Sequence, residues 1–134
     1  TSREVRKVMD YYTGGIGQGA VLVDYTLCSE MGKDEENKNE CTLSFSGNII
    51  KAGDEVYIWM NYMVPAGDTA VITLAYTRNG RIRHTQNITL TAAFRYRTWK
   101  KLFTDKPGEW TVQIYQDLGD SDIDLGSFAY TVKE

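Results

Sequence analysis

The feature that most limits how this chain can fold is a two-residue alternation, repeated in short runs between turn-forming residues. Ile72, Leu74 and Tyr76 share one face of the run from Ala70 to Thr77, and Trp110, Val112 and Ile114 share one face of the run from Trp110 to Tyr115. Phe128, Tyr130 and Val132 do the same near the C-terminus. Successive strand side chains point to opposite sides, so each run carries an apolar face that must be covered. Further runs of this kind are Ala20–Leu27, Thr42–Phe45, Glu55–Val64, Arg81–Thr91 and Phe94–Phe103. Glu55–Val64 is apolar on both faces, as in a central strand covered twice. Ser46-Gly47-Asn48, Ala52-Gly53-Asp54, Pro65-Ala66-Gly67-Asp68 and Lys106-Pro107-Gly108 read as turns that end the runs. Asn79-Gly80 is the strongest hairpin signal, because both central residues of a type I′ turn need positive φ. Seven or eight short strands at regular spacing, with no second helical pattern after the N-terminus, predict an all-β, antiparallel β-sandwich over residues 20–134.

Residues 1–19 read differently. Val5, Val8, Met9 and Tyr12 recur at helical spacing and predict a short amphipathic helix, followed by a glycine-rich joint from Thr13 to Gly19. The glycines follow a helix and precede a strand, with no Lys-Ser/Thr, which is the wrong order for a phosphate-cradling loop. The chain of 134 residues is one domain's length. No run approaches the roughly 18 apolar residues of a membrane span. A formal charge of −3 argues against nucleic acid as the partner.

Cys28 and Cys41 are the only thiols, and each sits where a β-like run meets the polar segment between them. Two thiolates with no third ligand nearby make an incomplete zinc site. A Cys28–Cys41 disulfide is the expectation, with two unpaired buried thiols as the alternative. Such a bond places the domain in an oxidising compartment, periplasmic or extracellular, with any leader peptide already removed.

The inventory for catalysis is sparse. His84 is the only imidazole, no Gly-x-Ser-x-Gly elbow presents a serine to it, and a disulfide consumes both thiols. The reading is therefore non-enzymatic, with no cofactor. Asp117, Asp120, Asp122 and Asp124 crowd one connection and offer either a calcium site or a solvated turn. Arg78, Arg81, Arg83, Arg95, Arg97, Lys100 and Lys101 concentrate positive charge, with Phe94, Tyr96 and Trp99 among the later ones. Alternation places Arg95 and Arg97 on one strand face, with Phe94 and Tyr96 on the other. That basic face either recognises a partner, through Arg81, Arg83, Arg95, Arg97, Trp99 and Lys100, or is a solvated face paired with carboxylates of the Asp117–Asp124 loop or the cysteine loop. Tyr57, Trp99 and Tyr115 are the rings available for a carbohydrate-stacking platform, although core packing is the commoner fate of such rings.

From Val56 to Val132 the order of motifs is more specific. Tyr57-Ile58-Trp59 is followed by Asn79-Gly80, Arg95-Tyr96-Arg97-Thr98-Trp99-Lys100, Gly108-Glu109-Trp110-Thr111-Val112 and Leu125-Gly126-Ser127-Phe128-Ala129-Tyr130-Thr131-Val132. This stretch resembles the bacterial domain of unknown function 2914 family, an immunoglobulin-like module of envelope proteins. The family pattern often has His-Arg-Trp-Tyr where this chain has Thr73-Leu74-Ala75-Tyr76, so only the final aromatic matches. The resemblance implies an immunoglobulin-like fold in the envelope and carries no catalytic residues. The function expected is a binding or assembly module for a protein or an anionic polymer, with carbohydrate binding, aided by calcium, as the alternative.

Overall fold

The computed structural model describes residues 19–134, the side chains of residues 66–68 excepted; the expected N-terminal helix and all of its joint but Gly19 lie outside the described residues. Among the described residues seven strands follow one another: β1 (Val21–Met31), β2 (Cys41–Ser44), β3 (Ile49–Lys51), β4 (Tyr57–Arg78), β5 (Arg81–Lys101), β6 (Gly108–Asp117) and β7 (Asp122–Lys133). They form one hydrogen-bonded sheet in the order β2-β1-β4-β6-β7-β3, with β5 paired to β4. The domain is all-β and β-sandwich-like, because this sheet folds over on itself.

The spine is the β4–β5 hairpin. The turn at Asn79-Gly80 forms as expected, with φ of 50° and 86° and Arg78 opposite Arg81. The strand endings do not. Residues 55–64 and 70–77 were expected as separate strands, as were 81–91 and 94–103, yet β4 and β5 each run unbroken through the expected break. Proline has no N–H to give a ladder, and so residues 65–68 bulge out opposite Ala92, between the pairs Val64–Ala93 and Thr69–Thr91. Inward parity is unchanged across the bulge, with Ile58, Met60, Tyr62 and Val64 buried before it and Ala70, Ile72, Leu74 and Tyr76 after it. Pro65 therefore bends the strand instead of ending it.

The bend makes the two layers. The first part of β4 pairs with β1 and the second part with β6, while β5 accompanies both. The halves meet through one core that joins Leu22, Ile58 and Met60 to Leu74, Val112, Ile114, Trp110 and Tyr130. Tyr25 of β1 stacks on Phe128 of β7 at 5.6 Å, and Gln86 Nε2 near one end of β5 donates to the Lys101 carbonyl at the other, 3.3 Å away. One element has no counterpart among the expected runs. β3 lies between two turns, is three residues long, and pairs in parallel with the end of β7, burying Ile50. Three residues are too few to show alternation, and the parallel pair departs from the wholly antiparallel sandwich expected.

Trp110, Val112 and Ile114 point inward as their alternation predicts. Three buried phenols in the same core set an alkaline limit on the fold. Tyr62 donates to Met60 Sδ (3.1 Å), Tyr76 to Gln86 Oε1 (2.9 Å) and Tyr130 to the Phe103 carbonyl (2.8 Å). Burial pushes all three hydroxyls well above the usual phenol range. The folded state thus keeps protons that the unfolded chain releases above a pH of about 10, so stability is intact below that pH and falls as pH rises past it. In a spectrophotometric titration these three are expected to ionise late, in one steep step coincident with loss of near-ultraviolet circular dichroism. A single smooth titration of all the tyrosines with the fold intact would contradict this.

Candidate functional site

The site is built on the outer face of the first layer, where the cysteine loop lies against β4 and β5. Cys28 of β1 and Cys41 of β2 are joined in the expected disulfide with Cα atoms 5.8 Å apart, although β1 continues three residues past Cys28, to Met31, instead of ending there. The loop between them is more than a solvated polar segment. Asp34 accepts from the Asn37 amide at 2.8 Å, the Glu40 amide donates to the Asn37 carbonyl (3.0 Å), and the Gly32 amide donates to the Glu40 carbonyl (2.9 Å). Gly32 is needed for this closure, because a Cβ there would lie 1.9 Å from the Asn37 carbonyl oxygen. The returning segment docks on the sheet. Trp59 Nε1 donates to the Asn39 carbonyl (2.8 Å), and the Glu40 carboxylate pairs with the Arg97 guanidinium. The second apolar face of Glu55–Val64 is thus covered in two ways, Trp59 by the loop and Met63 by Val21 and Val23 of β1.

Strand register brings the remaining residues together. On the outward side, Asn61 lies opposite Arg97, Trp59 opposite Trp99 and Tyr57 opposite Lys101. Lys38 and Asn39 of the loop and Arg95, Tyr96, Arg97 and Thr98 of β5 line an open groove of about 320 Å³. Trp99 follows Thr98 on β5, exposed at 38%, with the Tyr57 ring nearly perpendicular to it at 5.3 Å. Tyr57 also donates to Glu55 (3.1 Å), and Glu55 pairs with Lys101 at 3.1 Å. The Lys101 hydrogen bond, then that of Tyr57, holds the Glu55 carboxyl below its usual range, and the same pairing raises Lys101. Beneath the face, Asn61 is buried and its Oδ1 has no hydrogen-bond partner among the described residues.

The expected basic face is therefore redrawn. Arg95, Arg97 and Trp99 do lie together. Arg81 and Arg83 do not join them: they sit beside the Asn79-Gly80 turn at the other end of β5, and Arg83 falls in a bulge between the pairs Tyr76–His84 and Thr77–Ile82. Lys100 lies opposite Ile58, on the inward side and half-buried. Phe94 was expected inside, but a second bulge, between the pairs Tyr62–Tyr96 and Val64–Ala93, leaves it 59% exposed. Of the two sources of carboxylate considered for the arginines, the cysteine loop supplies one, through Glu40. Lys38 and Asn39 were not foreseen as lining residues, because they reach the groove through the loop's docking; Tyr96 and Thr98 line it from the strand that carries Arg95 and Arg97, with the Tyr96 ring packed on the core.

The other candidates separate. Tyr57 and Trp99 adjoin with their planes 87° apart, so they form no coplanar platform, and Tyr115 lies opposite Thr73 in the second layer. The aspartates do not converge on a calcium site. Asp117 accepts from the Gly119 amide (2.7 Å) and Asp124 from the Gly126 amide (3.1 Å), and no group of three or more His, Cys, Asp or Glu side chains placed to hold a metal occurs among the described residues. Asp117 thereby caps the turn of a hairpin in which it faces Asp122, and Asp124 bonds within β7. The His84 ring stacks on Phe103 at 3.9 Å and runs parallel to Trp110 at 6.2 Å, so its described contacts are aromatic.

No protein-family model matches the chain, and neither does any curated protein. Among solved structures the chain is similar to the C-terminal domain of wzt, with a TM-score of 0.57 and 14% identity over 87% of this chain and 74% of that one. It also has a likeness to the CARDB domain of the PF1109 protein from Pyrococcus furiosus, with a TM-score of 0.42 and 9% identity over 82% of this chain and 88% of that one. The first similarity shows the fold, a β-sandwich-like domain.

Proposed function

We propose that this chain is a non-catalytic binding or assembly module that recognises an anionic partner in the groove between the cysteine loop and β5. The observation that carries the reading is the convergence of three cations from two elements, Lys38 from the loop and Arg95 and Arg97 from β5, on one open groove. Guanidinium groups fork onto carboxylates or phosphates, which makes them recognition groups as well as charges. Glu40 contributes the one carboxylate paired with Arg97, and that pair is solvent-exposed, where such contacts contribute about 0–1 kcal/mol and yield readily to a competing anion. The disulfide supports a periplasmic or extracellular setting. The motif order from Val56 to Val132 supports an immunoglobulin-like envelope module resembling the domain of unknown function 2914 family.

The test is binding of immobilised polygalacturonate and poly-L-glutamate at low and high salt. Binding is expected at low salt and should weaken as salt rises, since exposed attractions are screened over roughly 8 Å at physiological ionic strength. R95E/R97E should abolish it while changing unfolding free energy by no more than about 1 kcal/mol, because both side chains are exposed. Equal binding by wild type and the double variant would show a face that is merely solvated.

A further inference from the structure

We infer that the partner of this groove is a carboxylated glycan; the inference rests on the anion-binding reading above and adds the chemistry of what carries the charge. Three observations lead there. First, the groove has polar groups but no apolar pocket: besides its cations, Asn39 of the loop lines it together with β5 at Tyr96 and Thr98, and no aliphatic residue does. The strand parity of Tyr96 and Thr98 is inward, and the Tyr96 ring packs on the core. Protein partners gain most of their affinity from anchors seated in desolvated pockets, and this groove offers none. A sugar needs amides and charges set along a shallow surface, which is what β5 and the loop supply.

Second, an exposed indole stands on the same strand, at the residue after the last one that lines the groove. Trp99 is two residues beyond Arg97 on the same side of β5, about 6.6–7 Å along the strand. Its ring is braced by the edge of Tyr57 at 5.3 Å. The contact stacks no second plane on Trp99, and a single braced indole gives one sugar ring an apolar face to stack on, with the arginines placed for the neighbouring carboxylate. A polypeptide carboxylate has no comparable flat face to present. Third, the chain shows which anion Arg97 takes, because the group already paired with it is the carboxylate of Glu40. The glycan's carboxylate replaces that internal one.

Three polymers separate the ideas when titrated against the intact domain by calorimetry and tryptophan fluorescence. Polygalacturonate has rings and carboxylates, its methyl-esterified form has rings with most carboxylates masked, and poly-L-glutamate has carboxylates without rings. Polygalacturonate is expected to bind at least about tenfold more tightly than either of the others. W99S should remove that advantage while leaving the weaker poly-L-glutamate binding unchanged, and W99Y should restore part of it. Because W99S retains its binding to poly-L-glutamate, misfolding is excluded within the same experiment. If poly-L-glutamate binds as tightly as polygalacturonate, or if W99S binds polygalacturonate like wild type, the glycan inference is overturned and the anion-binding reading stands. If the methyl ester binds as tightly as the acid, the carboxylate is not the group recognised, and the inference falls. If neither polyanion binds at low salt, the anion-binding reading fails with it.

Discussion

Trp110→Ala is expected to cost about 3–5 kcal/mol of unfolding free energy, a large fraction of what a domain of this size possesses. The ring is 2% exposed and lies at the centre of an aromatic series, parallel to Tyr130 at 5.9 Å and to His84 at 6.2 Å. Its indole N–H donates to the Lys106 carbonyl at 3.0 Å, and the Arg78 guanidinium lies over the ring with 5.8 Å to its centroid. Truncation removes the packing, leaves a cavity that the β6–β7 ladder cannot close, and strips Arg78 of the face it rests on. The last loss matters because Arg78 Nε is buried with no hydrogen-bond partner among the described residues. Trp110→Phe keeps a ring and loses the N–H and some volume, so it should fall between wild type and alanine. Denaturant unfolding of both variants checks the order. A cost below about 1 kcal/mol for alanine would mean that the site repacks, contrary to what a large core truncation does elsewhere.

The parts of this fold legible in the sequence are those decided over a few residues. Asn79-Gly80 requires positive φ, and the hairpin follows. Trp110, Val112 and Ile114 alternate without interruption and all turn inward. Cys28 and Cys41 bracket a short polar segment and are bonded. What alternation cannot carry is a change of register. Pro65 and the residues after it look like the end of a strand, and nothing local says that β5 will keep its pairing on the far side of the bulge. The bulges beside Phe94 and at Arg83 invert or interrupt the facing of neighbouring residues. A basic face drawn from spacing alone groups Arg81 and Arg83 with Arg95 and Arg97 because residues 81–91 and 94–103 read as two strands, whereas one continuous β5 sets them at opposite ends. The groove was partly legible for the same reason. Arg95, Arg97 and Trp99 share a face over a stretch that alternates cleanly, whereas Lys38 and Asn39 reach it only because the loop folds back. Gly32 and the Asp34-x-x-Asn37 turn were the local signs of that return.

Removing the disulfide, by Cys28→Ala with Cys41→Ser, is expected to lower stability by about 3 kcal/mol, the loop-closure entropy of a bond spanning 13 residues. Alanine is the replacement for Cys28 because that side chain is fully buried, where a serine hydroxyl would lack a partner. The loss should be spread unevenly. Hydrogen exchange at the Gly32 and Glu40 amides, which close the loop, should accelerate most, while the amides of Val112 and Ile114 remain tied to global unfolding. Gly32→Ala probes the same loop with the covalent bond intact. Its Cβ conflicts with the Asn37 carbonyl, so the return segment cannot settle on Trp59 and Arg97 in its present form. Lys38 and Asn39 then leave the groove, and polyanion binding should weaken while the bond persists by non-reducing mass analysis. If Gly32→Ala keeps full binding and only the double cysteine variant loses it, the bond itself holds the loop in place. If both lose binding, the bond works by holding a loop whose own hydrogen bonds shape the groove. The close Gly32–Asn37 approach and the Asn39 contact to Trp59 lead us to expect this second result.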